Sequence, residues 1–151
     1  DIYDENGTLL FTRNTLLYAL TPVSADCFLD YRYQWNADTE TATNQIFLLD
    51  ASGAELFSSD KYDFAYAVYD ENGKALPYVC ASYSAANNFE QFNDILDATG
   101  QVIIDHLKSS AVLSVQGRNY LAAEHGFSYG VLDFDGNWLF KRSIFQQIDD
   151  N

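Results

Sequence analysis

Five times along this chain an acidic residue, two variable residues and a glycine stand between apolar, strand-like segments. The copies are Asp4-Glu5-Asn6-Gly7, Asp50-Ala51-Ser52-Gly53, Asp70-Glu71-Asn72-Gly73, Asp97-Ala98-Thr99-Gly100 and Asp133-Phe134-Asp135-Gly136. An aspartate carboxylate accepts backbone N–H groups just ahead of it, and glycine tolerates the positive φ that closes a type I turn with a bulge. Each copy is therefore a hairpin signal, and its glycine is expected at positive φ. The flanks agree with one another. Ile2-Tyr3, Leu48-Leu49, Val68-Tyr69, Ile95-Leu96 and Val131-Leu132 precede the acids. Three residues after the glycines come Leu10, Leu56, Leu76, Ile103 and Leu139, and four after come Phe11, Phe57, Pro77, Ile104 and Phe140. The clearest copies add an anchor nine residues after the glycine, at Leu16, Tyr62 and Phe145. Such punctuation predicts a repeat protein. A repeat architecture builds a surface and does not by itself imply chemistry.

The stretches between turns differ in what they insert. Cys27 to Trp35 alternates apolar odd positions with Asp30, Arg32 and Gln34, the pattern of a half-buried strand. Residues 36–43 read as a polar loop, and Gln45 to Leu49 returns as a strand. Ala111 to Val115 and Tyr120 to Ala123 repeat the plan around a turn at residues 116–119. The interval between Gly53 and Gly73 has no room for the extra hairpin. One segment is ambiguous: Phe89, Phe92, Ile95 and Leu96 sit at helical spacing behind the possible caps Asn87 and Asn88. Strand is the preferred reading for Asn93 to Leu96. Ile144, Phe145 and Ile148 pose the same choice.

At 151 residues the chain suits one domain that buries roughly two-thirds of its unfolded surface. It is 48% hydrophobic and 20% charged, which marks a globular chain, and the 11 Tyr and 11 Phe favour pleated sheets. The net charge of -14 repels nucleic-acid backbones and anionic membrane surfaces. No segment approaches the ~20 apolar residues that span a bilayer, so membrane insertion is not expected. A chain that opens at Asp1, almost on a turn, and has no Met reads as a mature form or a piece of a longer repeat array. Cys27 and Cys80 belong to no C-x-x-C pair, and Cys27 shares parity with Leu29, Tyr31, Tyr33 and Trp35. Two buried thiols are favoured over a bridge.

The run Gly53-Ala54-Glu55-Leu56-Phe57, followed by Lys61-Tyr62-Asp63, resembles a WG-repeat unit. Tyr129-Gly130-Val131-Leu132 leading into Asp133-Phe134-Asp135-Gly136 is similar to that family's Trp-Gly strand and turn, with Tyr129 standing where Trp is expected. Ile46-Phe47, Tyr66-Ala67 and Asn93-Asp94 fill the equivalent places elsewhere. The resemblance implies an all-β repeat module of a kind often found in bacterial exported proteins. It carries over no catalytic residues.

Motifs that hint at chemistry are weak. Gly126-Phe127-Ser128-Tyr129-Gly130 has the spacing of a nucleophile elbow, but that motif needs a helix after the serine and a histidine later in the chain. Val131-Leu132 runs straight into a turn, and His106 and His125 both precede Ser128. Asp133-x-Asp135-Gly136 and Asp70-x-Asn72-Gly73 look like the start of a calcium loop, yet turn capping explains their acids and no closing Glu follows. Asn6-Gly7-Thr8 is a glycosylation sequon, but Asn-Gly is also the expected turn dipeptide, and the turn is the preferred reading. No cofactor, metal site or catalytic residue is assigned.

The expected architecture is all-β: about four antiparallel hairpin units stacked as a curved sheet array or a propeller-like arrangement. The expected role is a non-enzymatic interaction module at the cell surface or outside the cell, binding a protein or a glycan. A structural spacer is the second reading and a hydrolase the third. Trp35, Tyr120, Phe127, Tyr129 and Trp138 are the candidate binding residues, because aromatic rings stack on sugars and anchor protein interfaces.

Overall fold

The computed structural model describes residues 1–13, 20–85 and 90–144. Leu16, Asn87, Asn88, Phe89, Phe145 and Ile148 therefore lie outside the described residues. What is described is all-β, with antiparallel sheets and no closed barrel. A small hairpin pairs β1 (Ile2–Tyr3) with β2 (Leu9–Phe11). Four strands then form one sheet: β3 (Thr21–Ser24), β4 (Cys27–Asn36), β5 (Thr41–Asp50) and β6 (Glu55–Ser59). Seven more form the second: β7 (Phe64–Tyr69), β8 (Ala75–Ser84), β9 (Gln91–Asp97), β10 (Val102–Val115), β11 (Arg118–His125), β12 (Ser128–Leu132) and β13 (Trp138–Ser143). Within each sheet every strand lies beside its neighbour in sequence. Short connections and local pairing follow from the hairpin signals.

The five acid-x-x-Gly turns share one hydrogen-bond pattern. In each, the Asp carbonyl accepts from the glycine N–H, and its Oδ1 accepts from the N–H groups two and four residues on. At Asp97 these bonds measure 3.0, 2.8 and 3.0 Å, from Gly100, Thr99 and Gln101. At Asp4 they measure 3.0, 2.9 and 2.7 Å, from Gly7, Asn6 and Thr8. The turn glycines have φ between 76° and 87°, as the sequence requires. These bonds favour the ionised acid. Thr8 N–H holds the Asp4 carboxyl below its ordinary value, the Ser52 hydroxyl does so at Asp50, and Asn137 N–H at Asp133. At Asp97 partial burial pushes upward, but the Thr99, Gln101 and Gly100 bonds outweigh it.

Side chains from one turn region cover the glycine of another. A Cβ on Gly53 would stand 2.7 Å from the Phe11 ring, and one on Gly100 would run into Phe57. One on Gly136 would lie 3.3 Å from the Ile103 carbonyl oxygen and 3.8 Å from Ile104 Cγ1. Gly7 and Gly73 have nothing within 4 Å among the described residues. Gly130 is required for a different reason: the Phe140 carbonyl of β13 occupies the place its Cβ would take.

Strands β7 to β9 contribute side chains to a core on each face of the sheet. Ala67, Val79, Ala81 and Leu96 face the four-stranded sheet and join Val23, Cys27, Leu29, Ile46, Leu48 and Tyr62 in one core. The alternate residues Val68, Cys80 and Ile95 face the other way, into a second core with Leu107, Leu121, Leu132 and Phe134. Cys27 and Cys80 are unbridged and buried, one in each core. Burial raises both thiols, Cys27 to about 11.

Three local readings are corrected. Residues 37–40 alone connect β4 to β5, because Asn36 Oδ1 caps the turn at 2.9 Å and Glu40 takes φ 51°, so the strands extend into the expected polar loop. The turn at residues 116–119 shrinks to Gln116 and Gly117, both left-handed at 51° and 74°, the geometry of a two-residue hairpin. Residues 102–115 form one long strand and not a turn exit followed by a separate strand. Asn93 to Leu96 is strand, as preferred.

Candidate functional site

β10 turns a corner at His106. The strand pairs with β9 up to Leu107 and with β11 from Leu107 onward, with register shifts on both sides. His106 sits at φ 57°, unusual for a residue with a side chain. Its N–H donates to Asp94 Oδ1 at 2.9 Å. The other oxygen of this fully buried carboxylate accepts from Lys61 Nζ and from the Tyr62 hydroxyl at 2.9 Å. The His106 ring stacks on Phe92 at 3.9 Å, and its Nδ1 shares a 2.8 Å hydrogen bond with the Tyr83 hydroxyl. Asp94 thus ties the β6–β7 link to the corner, and its charge is met by an ammonium and two donors. Burial, then the Asp94 bond, keeps the Tyr62 phenol protonated across the accessible pH range.

The corner brings the last turn back over the start of β10, and a groove of about 490 Å³ opens beside it. Leu76 and Tyr78 of β8 form one wall, and Arg118, Asn119 and Tyr120 of β11 form another. Asp133, Phe134 and Asp135 of the turn and Leu139 of β13 complete it. Phe134 stacks on Tyr78 with centroids 4.3 Å apart and planes 12° apart, so two rings make a fixed floor. Partial burial, with the charges of Asp135, Asp97 and Asp133, raises the Tyr78 phenol, which therefore stays a donor. The Asp135 carboxylate and Arg118 guanidinium are exposed at the rim. Aromatic surface flanked by planar hydrogen-bonding groups can hold a flat, polyhydroxylated ligand.

A protein-family model described as Domain of unknown function (DUF5046) matches residues 36–151. The chain belongs to this family. No curated protein and no solved structure matches it. The match spans both groove and corner, and membership in DUF5046 carries no assigned activity.

The five aromatic candidates are not brought together. Tyr120 lines the groove. Tyr129 borders a separate shallow depression with Ser110, Ala122 and Glu124. Trp138 packs against the second core under Lys141, whose Nζ lies 5.0 Å from the ring centroid. Phe127 is 66% exposed at the β11–β12 hairpin, and Trp35 is 56% exposed on the β4–β5 arm beside Tyr33. Gly126-Phe127 is a two-residue β-hairpin connection, with Gly126 at φ 58° and Ser128 paired to His125, and strand β12 follows in place of a helix. Among the described residues, no three His, Cys, Asp or Glu side chains gather as a metal site, and no helix is long and apolar enough to cross a membrane.

Sequence reasoning passed over Tyr78, Phe134, Arg118, Asn119 and Asp135. One signal was available: Phe134 is the aromatic exception at a turn position held elsewhere by Glu5, Ala51, Glu71 and Ala98.

Proposed function

We propose that this protein is a non-enzymatic interaction module, acting outside the cell or at its surface, that binds a glycan in the groove between β8, β11 and the last turn. The observation that carries the reading is the groove in which half-buried Tyr78, backed by the buried Phe134 ring, lies beside Tyr120 and is ringed by Arg118, Asn119 and Asp135. Apolar sugar faces stack on aromatic rings, and ring hydroxyls pair with carboxylate, amide and guanidinium groups. The architecture proposed with it is the WG-like hairpin array. Following the contacts from one turn to the glycine of the next gives a series Gly7, Gly53, Gly100, Gly136, with steps of 46, 47 and 36 residues and only Gly7 uncovered among the described residues. On that reading the Asp70 hairpin is an insertion within a unit.

A glycan array followed by calorimetry tests the proposal. Tyr120→Ala and Asp135→Ala are expected to weaken binding by about tenfold each, the size of one lost stack or charge-assisted bond, while leaving the melting temperature near wild type. Trp35→Ala is expected to leave affinity unchanged. An array with no retained glycan, or binding indifferent to both groove variants, defeats the reading. A protein ligand is the second reading, favoured by the exposed Tyr33 and Trp35 on the β4–β5 arm. In that case Trp35→Ala, and not Tyr120→Ala, abolishes capture.

A further inference from the structure

The packing of turn on turn has a direction, and among the described residues it leaves two open ends. The residue four places after one turn glycine covers the glycine of a later turn: Phe11 on Gly53, Phe57 on Gly100, Ile104 beside Gly136. At one end Gly7 offers the same left-handed glycine, with φ 80° and nothing described within 4 Å of its missing Cβ. At the other end Phe140, four places after Gly136, is 48% exposed, and Leu139 beside it is 57% exposed. The hairpin around Gly7 exposes Tyr3 and Leu9, so both ends are apolar. Their charges differ: the last hairpin carries a basic pair beside Phe140 together with the turn acids Asp133 and Asp135. Phe140 is followed by the exposed pair Lys141 and Arg142, whereas the first hairpin carries Asp1, Asp4 and Glu5. In a chain of net charge -14, the basic pair next to Phe140, with Arg142 5.2 Å from the ring centroid, is complementary to the acids of the first hairpin.

We propose that the protein associates head to tail with a second copy of itself, Phe140 of one copy seating on Gly7 of the next. The contact repeats the ring-on-glycine contact made twice inside the chain, by Phe11 on Gly53 and Phe57 on Gly100. It is heterologous, so every dimer keeps one end of each kind and can extend.

Sedimentation equilibrium of the 151-residue chain over a range of concentrations tests it. Wild type is expected to gain mass through dimer to longer species. Phe140→Asp and Gly7→Gln are each expected to remain monomeric alone. Mixed in equal amounts they should form a heterodimer that grows no further, because each supplies the end the other lacks. Leu9→Asp repeats the block with the turn glycine intact, which separates loss of contact from loss of the hairpin. Gly73→Gln, at a glycine equally left-handed and equally open, should not interfere. A wild-type mass that stays monomeric at every concentration, or a mixture that fails to pair, overturns the proposal. Association abolished by Gly73→Gln and untouched by Gly7→Gln overturns it as well.

Discussion

Gly73 and Gly100 occupy the same place in the same turn, with φ of 76° and 87°. Only Gly100 has a ring, Phe57, where a Cβ would go. Alanine at Gly73 should cost about 1–2 kcal/mol from the left-handed backbone alone. Alanine at Gly100 should add about 1–3 kcal/mol of overpacking to that. Urea unfolding of the two variants reads the difference, and equal losses would mean the ring yields freely. The turn acids make a second prediction at this scale. The folded carboxyls of Asp4, Asp50, Asp97 and Asp133 titrate below the ordinary 3.8. Their stabilising effect is therefore fully present above that value and is lost as pH falls through the lower folded values. Thermal melts in acid should steepen below about pH 4, and replacing these acids with Asn should flatten that slope. The buried thiols resist in the other direction: with Cys27 raised to about 11, neither Cys27 nor Cys80 should react with iodoacetamide at pH 8 until the chain unfolds.

Strand β10 shows how a single element carries the design. The sequence reads as a turn exit followed by a separate strand from Ala111, whereas the structure keeps Val102 to Val115 as one strand. The corner at His106 comes from outside it. Asp94 of β9 receives the His106 N–H, and Phe92 and Tyr83 hold the ring. Asp94→Ala leaves the buried Tyr62 hydroxyl and the His106 N–H unpaired, and should cost about 2–5 kcal/mol in urea unfolding. Lys61, half-exposed, can turn to water and limits the loss. His106→Gly should keep the corner, since glycine accepts φ 57°, whereas His106→Val should be the more damaging of the two. If both variants unfold at the same urea concentration, the left-handed corner is not what constrains this position.

At the scale of the whole molecule, β7 to β9 form the wall shared by both cores. Leu48 fills the first and Leu121 the second, and both are almost fully buried. Leu48→Ala and Leu121→Ala should each lower stability by about 2–5 kcal/mol. Because the wall is common, each should shift one unfolding transition of the entire chain. Two separable transitions in calorimetry, each moved by only one variant, would refute that coupling.

The turns were legible because their chemistry is local. An acid that caps its own backbone and a glycine that takes positive φ act within five residues, so five turns and the all-β class follow from order along the chain. At β9 the apolar spacing also fits a helix, and the preferred strand reading of Asn93 to Leu96 is what the structure has. The groove, the corner and the row of covered glycines were not legible, since each joins residues distant in sequence. Phe57 reaches Gly100 and bypasses the nearer Gly73, and Tyr78 meets Phe134 across more than fifty positions. Which aromatic ring ends in a core, in a groove or in solvent depends on where β10 bends. That bend is held by a buried carboxylate on the neighbouring strand, an arrangement that no periodicity or composition encodes.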